Sequence, residues 1–211
     1  MFRSDIPTKI SVNREKMISK HGGVGIKMNF ACDIFEKLEQ LSDDVKAWRD
    51  GNSTFTKEKE YYNYIFNLDI FIFELYSILE YFALDMGEIL KLKKKLKNKT
   101  VEIEYFTDLH KALNLDPKIR QKVNVFERQS WFKYFHEMRN RITHRMPISL
   151  RALVYGKTIE FPFLPDDPLD PQSVSLKKLD PLTECKKWLE GVFKFIDDIC
   201  VDLGRELFDT F

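Results

Sequence analysis

Three side chains of complementary chemistry stand close together in Arg139-Asn140-Arg141-Ile142-Thr143-His144. Arg139 is a permanent cation that can hold non-bridging phosphate oxygens and offset the charge of a transition state. His144 titrates near neutrality, so it can take a proton from a 2′-hydroxyl or give one to a leaving oxygen. Asn140 can orient the imidazole or donate to the phosphate. These groups suit phosphodiester cleavage in RNA, where the ribose 2′-hydroxyl is an internal nucleophile and no metal is needed. One imidazole cannot easily act as base and acid on opposite sides of an in-line displacement. A two-fold dimer bringing two such faces together would supply a pair. Arg141 and Arg145 are candidate RNA phosphate contacts, with simple solvent exposure as the equal alternative.

A helix from Ser130 to Arg145, stopped by Pro147, must position these groups. At about 100° per residue, Trp131, Phe135, Met138 and Ile142 share an arc about 60° wide, the expected core face. Arg139, Thr143, His136, Asn140 and His144 spread over the neighbouring arc. Asn140 and His144 are i,i+4 neighbours, with Arg139 beside them. His136 reads as a surface side chain, with a place beside the site as the alternative.

Other helices surround this one. A first amphipathic helix is predicted from about residue 28, with Phe30, Ile34, Leu38, Leu41, Val45 and Trp48 as its stripe and Gly51-Asn52 as its end. A second runs from about 57 to 86 and reaches roughly 45 Å. Tyr61, Ile65, Leu68, Ile72, Leu75, Leu79, Phe82 and Met86 form one face, widened by Tyr64, Phe71, Ile78 and Tyr81. So wide an apolar arc implies a central helix or one that also meets a second subunit. Glu74 and Glu80 interrupt it; exposure and pairing with Arg139 are both open. The lysine run 91–99 reads as a solvated helix end complementing the negative pole, with a phosphate grip as the alternative. Residues 106–126 hold two short helices divided by Asp116-Pro117, an N-cap and N1 pair. Alternation over 148–163 around Gly156-Lys157 predicts a hairpin, followed by an acidic proline loop. Asp180-Pro181 opens a last helix with Glu184 in its first turn and Trp188, Val192, Phe195, Ile199, Leu203 and Leu207 as its stripe.

With these elements in place, Arg139-Asn140-Arg141-Ile142-Thr143-His144 resembles the R-N-x-x-x-H form of the motif of HEPN domains. The resemblance implies an all-α, HEPN-like helical bundle, often homodimeric. It extends over roughly 28–146 plus the last helix, with a small β-hairpin inserted after the motif helix. It implies a metal-independent endoribonuclease of the toxin or antiviral defence kind, with RNA as substrate and an antitoxin protein as a partner in the toxin setting. Arg139 and His144 would be the catalytic pair and Asn140 their support, two copies meeting in a cleft at the dimer interface. The alternative is a non-catalytic helical module that binds RNA or protein. Two departures stand out. Some HEPN toxins carry a Tyr two residues after the His, the target of nucleotide transfer; here that position is Met146. The hairpin and loop also lie outside a minimal bundle.

The chain has 211 residues, of which 44% are hydrophobic and 14% aromatic, and a net charge of +1. That length suggests an N-terminal lead-in over 1–27 and a single domain over 28–211, including an inserted hairpin and loop at 148–172. Core burial at this size needs no disulfide or metal staple. The neutral balance argues against a whole-protein polyanion binder but leaves local patches open. Cys32, Cys185 and Cys200 form no CxxC and no closed disulfide set, so buried reduced thiols in a cytoplasmic protein are expected. No signal peptide is visible. The most apolar stretch, Leu68 to Met86, carries Asp69, Glu74, Glu80 and Asp85, too many acids for a membrane span. His110 and His136 lie outside metal-ligand spacing, and neither a metal nor a cofactor is expected. His21-Gly22-Gly23-Val24-Gly25 reads as a glycine loop of the lead-in without a phosphate-binding continuation.

Overall fold

The computed structural model describes residues 22–49, 56–144, 154–155, 158–159 and 180–203, and side chains over 23–42, 59, 62–140, 142–143 and 180–203. In chain order the elements are α1 (Gly22–Arg49), α2 (Thr56–Ile89), β1 (Lys93–Leu96), β2 (Lys99–Glu102), a 3₁₀ helix (Phe106–Lys111), α3 (Pro117–Arg128), α4 (Ser130–His144), β3 (Val154–Tyr155), β4 (Thr158–Ile159) and α5 (Pro181–Asp202). Among the described residues the fold is all-α with two small antiparallel hairpins. No described helix is long and apolar enough to cross a membrane.

The described residues fall into two compact units. One takes in 22–31, 74–136 and 189–203, the other 32–73, 137–144, 154–155, 158–159 and 180–188. In the first, Phe106, Phe126, Phe132 and Phe195 form an aromatic cluster. Phe126 stacks on Phe195 with ring centroids 4.0 Å apart and meets Phe132 at 4.6 Å. Phe106 presents its edge to Phe126 and Phe195 at 5.8 and 5.6 Å. In the second, Ile34, Phe35, Leu38, Tyr64, Leu68, Phe71 and Trp188 are buried, with Phe35 and Phe71 rings 5.8 Å apart.

Helix α2 buries Ile65, Leu68, Ile72, Leu75, Leu79, Phe82 and Met86, and also Tyr64, Phe71, Tyr76 and Ile78. The wide apolar arc is therefore largely interior. Tyr81 is an exception and stands exposed. Capping follows the sequence signals. The Asp116 carboxylate accepts from the Lys118 and Ile119 amides at 2.8 and 3.3 Å, with Pro117 at N1. The Asp180 carboxylate accepts from the Thr183 amide at 2.9 Å and its hydroxyl at 2.7 Å. Strands β3 and β4 pair Val154 with Ile159 and Tyr155 with Thr158, as the predicted hairpin requires. The remainder of 148–163, the acidic proline loop, Pro147, Gly51-Asn52 and Leu207 lie outside the described residues.

Three sequence expectations need correction. The glycine segment is helical: α1 begins at Gly22. Gly23 sits under the Tyr81 ring, where a Cβ would come within 2.5 Å of Cδ1; the glycine serves close packing rather than a loop. The α1 core face holds Val24, Met28, Ala31, Phe35 and Leu38, at i,i+4,i+7 steps, and leaves Phe30 exposed. The lysine run is a hairpin rather than a helix end. Lys93–Leu96 pairs with Lys99–Glu102 across a two-residue turn, and Lys97 adopts a positive φ of 53°.

Candidate active site

The site helix is built from its N-terminal end. A single residue, Gln129, joins α3 to α4: its amide donates to the Phe126 carbonyl at 3.1 Å, and its carbonyl accepts from the Lys133 amide at 3.1 Å. Phe132 and Phe135 are buried in the aromatic core. Trp131, half-buried, lies against Gly191 of α5, where an added Cβ would be 2.5 Å from Cζ2. Met138 is buried as expected; Ile142, placed on the same face by periodicity, is half-buried. The core face thus includes Phe132, which shifts its centre toward that residue.

On the polar side, Arg139 Nη1 donates to Asn140 Oδ1 at 3.1 Å. The two motif side chains therefore touch, and the amide oxygen is engaged by the guanidinium. The donors of Asn140 are on its amide nitrogen Nδ2. The Thr143 hydroxyl donates back to the Arg139 carbonyl, four residues earlier in the helix, at 2.8 Å. His144 is the last residue of α4, one turn beyond Asn140. The side chains of Arg141 and His144, and all of Arg145, lie outside the described residues.

His136 is not a plain surface side chain. It is half-buried, and its Nδ1 lies 2.7 Å from the hydroxyl of buried Tyr76. Its ring also packs on Tyr76 and Phe132, with centroids 5.2 and 6.1 Å away. No motif pattern marks this tie, because Tyr76 is 60 residues earlier. On α2, Glu74 pairs with Lys27 and accepts from the Ser77 hydroxyl, and Glu80 accepts from the Phe106 amide at 2.7 Å. His110 pairs with Glu127 at 3.0 Å, and burial raises that carboxyl above its ordinary range.

Among the described residues no three His, Cys, Asp or Glu side chains cluster closely enough to hold a metal ion. Cys185 and Cys200 are buried and Cys32 half-buried, and none of the three is in a disulfide. Burial pushes the Cys185 thiol well above its usual range and Cys200 up to about 12, so neither supplies a thiolate nucleophile near neutral pH.

The described fold is all-α, and its helix α4 carries Arg139 and Asn140 in contact, with His144 one turn on; the family match is to a HEPN domain. The chain belongs to that family: residues 27–203 match the Cthe2314-like HEPN domains. No curated protein and no solved structure matches it.

Proposed function

We propose that this protein is a metal-independent endoribonuclease of HEPN type, a toxin or antiviral defence effector. The observation that carries the reading is the Arg139–Asn140 contact on a helix that ends in His144, within a HEPN-family chain. The 2′-oxygen attacks the adjacent phosphorus, the P–O5′ bond breaks, and a 2′,3′-cyclic phosphate and a 5′-hydroxyl result. His144 moves the proton at one end of this path. Arg139 offsets charge on the non-bridging oxygens. Asn140, held by Arg139, orients the imidazole or donates to the phosphate. Arg141 and Arg145 add phosphate contacts. The second imidazole comes from a second copy of the chain, giving a homodimer with a composite site. Tyr62, Phe66 and Phe73, 57%, 62% and 44% exposed at i,i+4,i+11 of α2, support this with apolar area for a partner.

The test is incubation of the protein with total and transfer RNA in EDTA, beside His144→Ala and Arg139→Ala. Cleavage by the parent protein that either substitution abolishes is the expected result. Intact RNA in every lane, across several substrates, overturns the catalytic reading. The same exposed aromatics favour one second reading, a non-catalytic module that binds RNA or protein. Growth of a bacterial host separates the two: an active toxin arrests it and its His144→Ala form does not, whereas for a binding module the two behave alike.

A further inference from the structure

The β1–β2 hairpin has a charge distribution that its packing does not need. Of the six lysines between 91 and 99, five are exposed: Lys91, Lys93, Lys95, Lys97 and Lys99. Lys94 alone turns inward, where it pairs with buried Asp108 and lies 4.0 Å from Glu104. Strand alternation turns Lys93 and Lys95 to the face opposite Lys94, while Lys91 precedes the strand, Lys97 lies in the turn and Lys99 pairs across from Leu96. Like charges crowded on a two-stranded ribbon repel one another, and such ribbons are marginal by themselves. This one is held by its base instead. Asn114 donates to the carbonyls of Leu90 and Lys91 and accepts from the Lys93 amide, while the Leu113 amide donates to the Lys93 carbonyl at 2.7 Å. The opposing acids are exposed Glu102, across from Lys93, and Glu104. Beside them stands Tyr105, 56% exposed, with the Lys94 ammonium 5.8 Å from its ring centroid.

We infer that this hairpin is a docking site for the backbone of single-stranded RNA. The exposed ammoniums would sit on phosphates, and the Tyr105 ring would offer a stacking face for a base. A fixed basic strand with an adjacent aromatic is the chemistry that holds single strands without sequence preference. Taking the polyanion to be RNA rests on the ribonuclease reading; the binding itself requires no catalysis.

Each phosphate neutralised on a single strand contributes about 0.7 to the slope of log affinity against log salt. Five contacts give a slope near −3.5, about a 100-fold loss from 50 to 200 mM salt. K93Q/K95Q/K97Q should leave a slope near −1.4, about a sevenfold loss over the same range. The experiment is fluorescence anisotropy of a labelled 20-nucleotide oligouridine in EDTA, using the full chain with His144→Ala to keep the probe intact. Matched circular-dichroism melts confirm folding. K37Q/K186Q/K194Q, which neutralises exposed lysines elsewhere, controls for net charge. A reduced slope in the hairpin variant alone supports the inference. Equal losses in both variants, or none in either, overturn it. So does hairpin-dependent binding of polyglutamate without binding of RNA, which would mark an acidic protein as the partner. Cleavage by the parent chain is measured separately. Hairpin-dependent binding without cleavage refutes catalysis alone, and cleavage with an unchanged salt slope refutes the docking site alone.

Discussion

Replacing Gly191 by Ala sets two effects of similar size against each other. Gly191 lies inside α5, and helix propensity alone favours Ala there by about 0.8–1 kcal/mol. The added Cβ would fall 2.5 Å from Trp131 Cζ2 and 2.6 Å from Cη2. The indole cannot simply swing aside: Phe126 and Phe132 meet it edge-on, with centroids at 5.4 and 6.0 Å. Overpacking of this kind costs about 1–3 kcal/mol, so the net expectation is a loss of about 1 kcal/mol. For a chain of this size that lowers the melting temperature by about 3 °C. Trp131→Phe removes Cζ2 and Cη2. In that background Gly191→Ala should regain its propensity advantage and raise the melting temperature by about 3 °C. The double-mutant cycle then gives a coupling of about 2 kcal/mol. Thermal unfolding of the four proteins, followed by circular dichroism, measures it. A rise on Gly191→Ala in the parent background, or additive changes across the cycle, would refute the packing argument.

Two further predictions concern titration. Hydrogen bonds from Lys122 and Lys118 hold the Asp202 carboxyl below its usual value of 3.8. A depressed folded-state pKa contributes stability that is present above the ordinary carboxylate range and is lost as pH falls through the folded value. Urea midpoints of the parent and of Asp202→Asn should therefore converge as pH falls from 6 toward 3, and a gap that widens on acidification counts against the ion pairs. The raised thiols of Cys185 and Cys200 predict that iodoacetamide at pH 8 leaves both unmodified in the native protein and alkylates them in denaturant, as read by mass spectrometry. Native labelling of Cys185 at the denatured rate would contradict its burial.

Much of the fold is local in origin and so was legible. Asp116-Pro117 and Asp180-Pro181 cap their helices through carboxylates two or three residues away, a range that sequence displays directly. The long apolar repeat of α2 left little freedom about what it must be. The misread segments depend on distant partners. The inward residue of β1 is itself a lysine, so no polar–apolar alternation betrays the strand; its partner Asp108 is 14 residues on. Gly22-Gly23 looks like a loop until Tyr81 is known to pack on it. Phe30 extends the i,i+4 stripe of buried Ile34 and Leu38, yet the buried face runs on through smaller Ala31 and Met28 instead. At the site, the sequence places Arg139 beside Asn140 without signalling that the guanidinium bonds the amide oxygen, and nothing local signals the His136–Tyr76 bond.

The joint at Gln129 has an evolutionary consequence. One residue separates two helices whose facing aromatics, Phe126 on one and Trp131 and Phe132 on the other, are already packed. Surface connections ordinarily absorb insertions and deletions as lineages diverge. Here a gained or lost residue would either bulge the joint or turn α4 about its axis by about 100°, carrying Arg139 and Asn140 to a different face. Length change between Phe126 and Asn140 should thus be purged among descendants of this chain, and drift in size should accumulate in other connections.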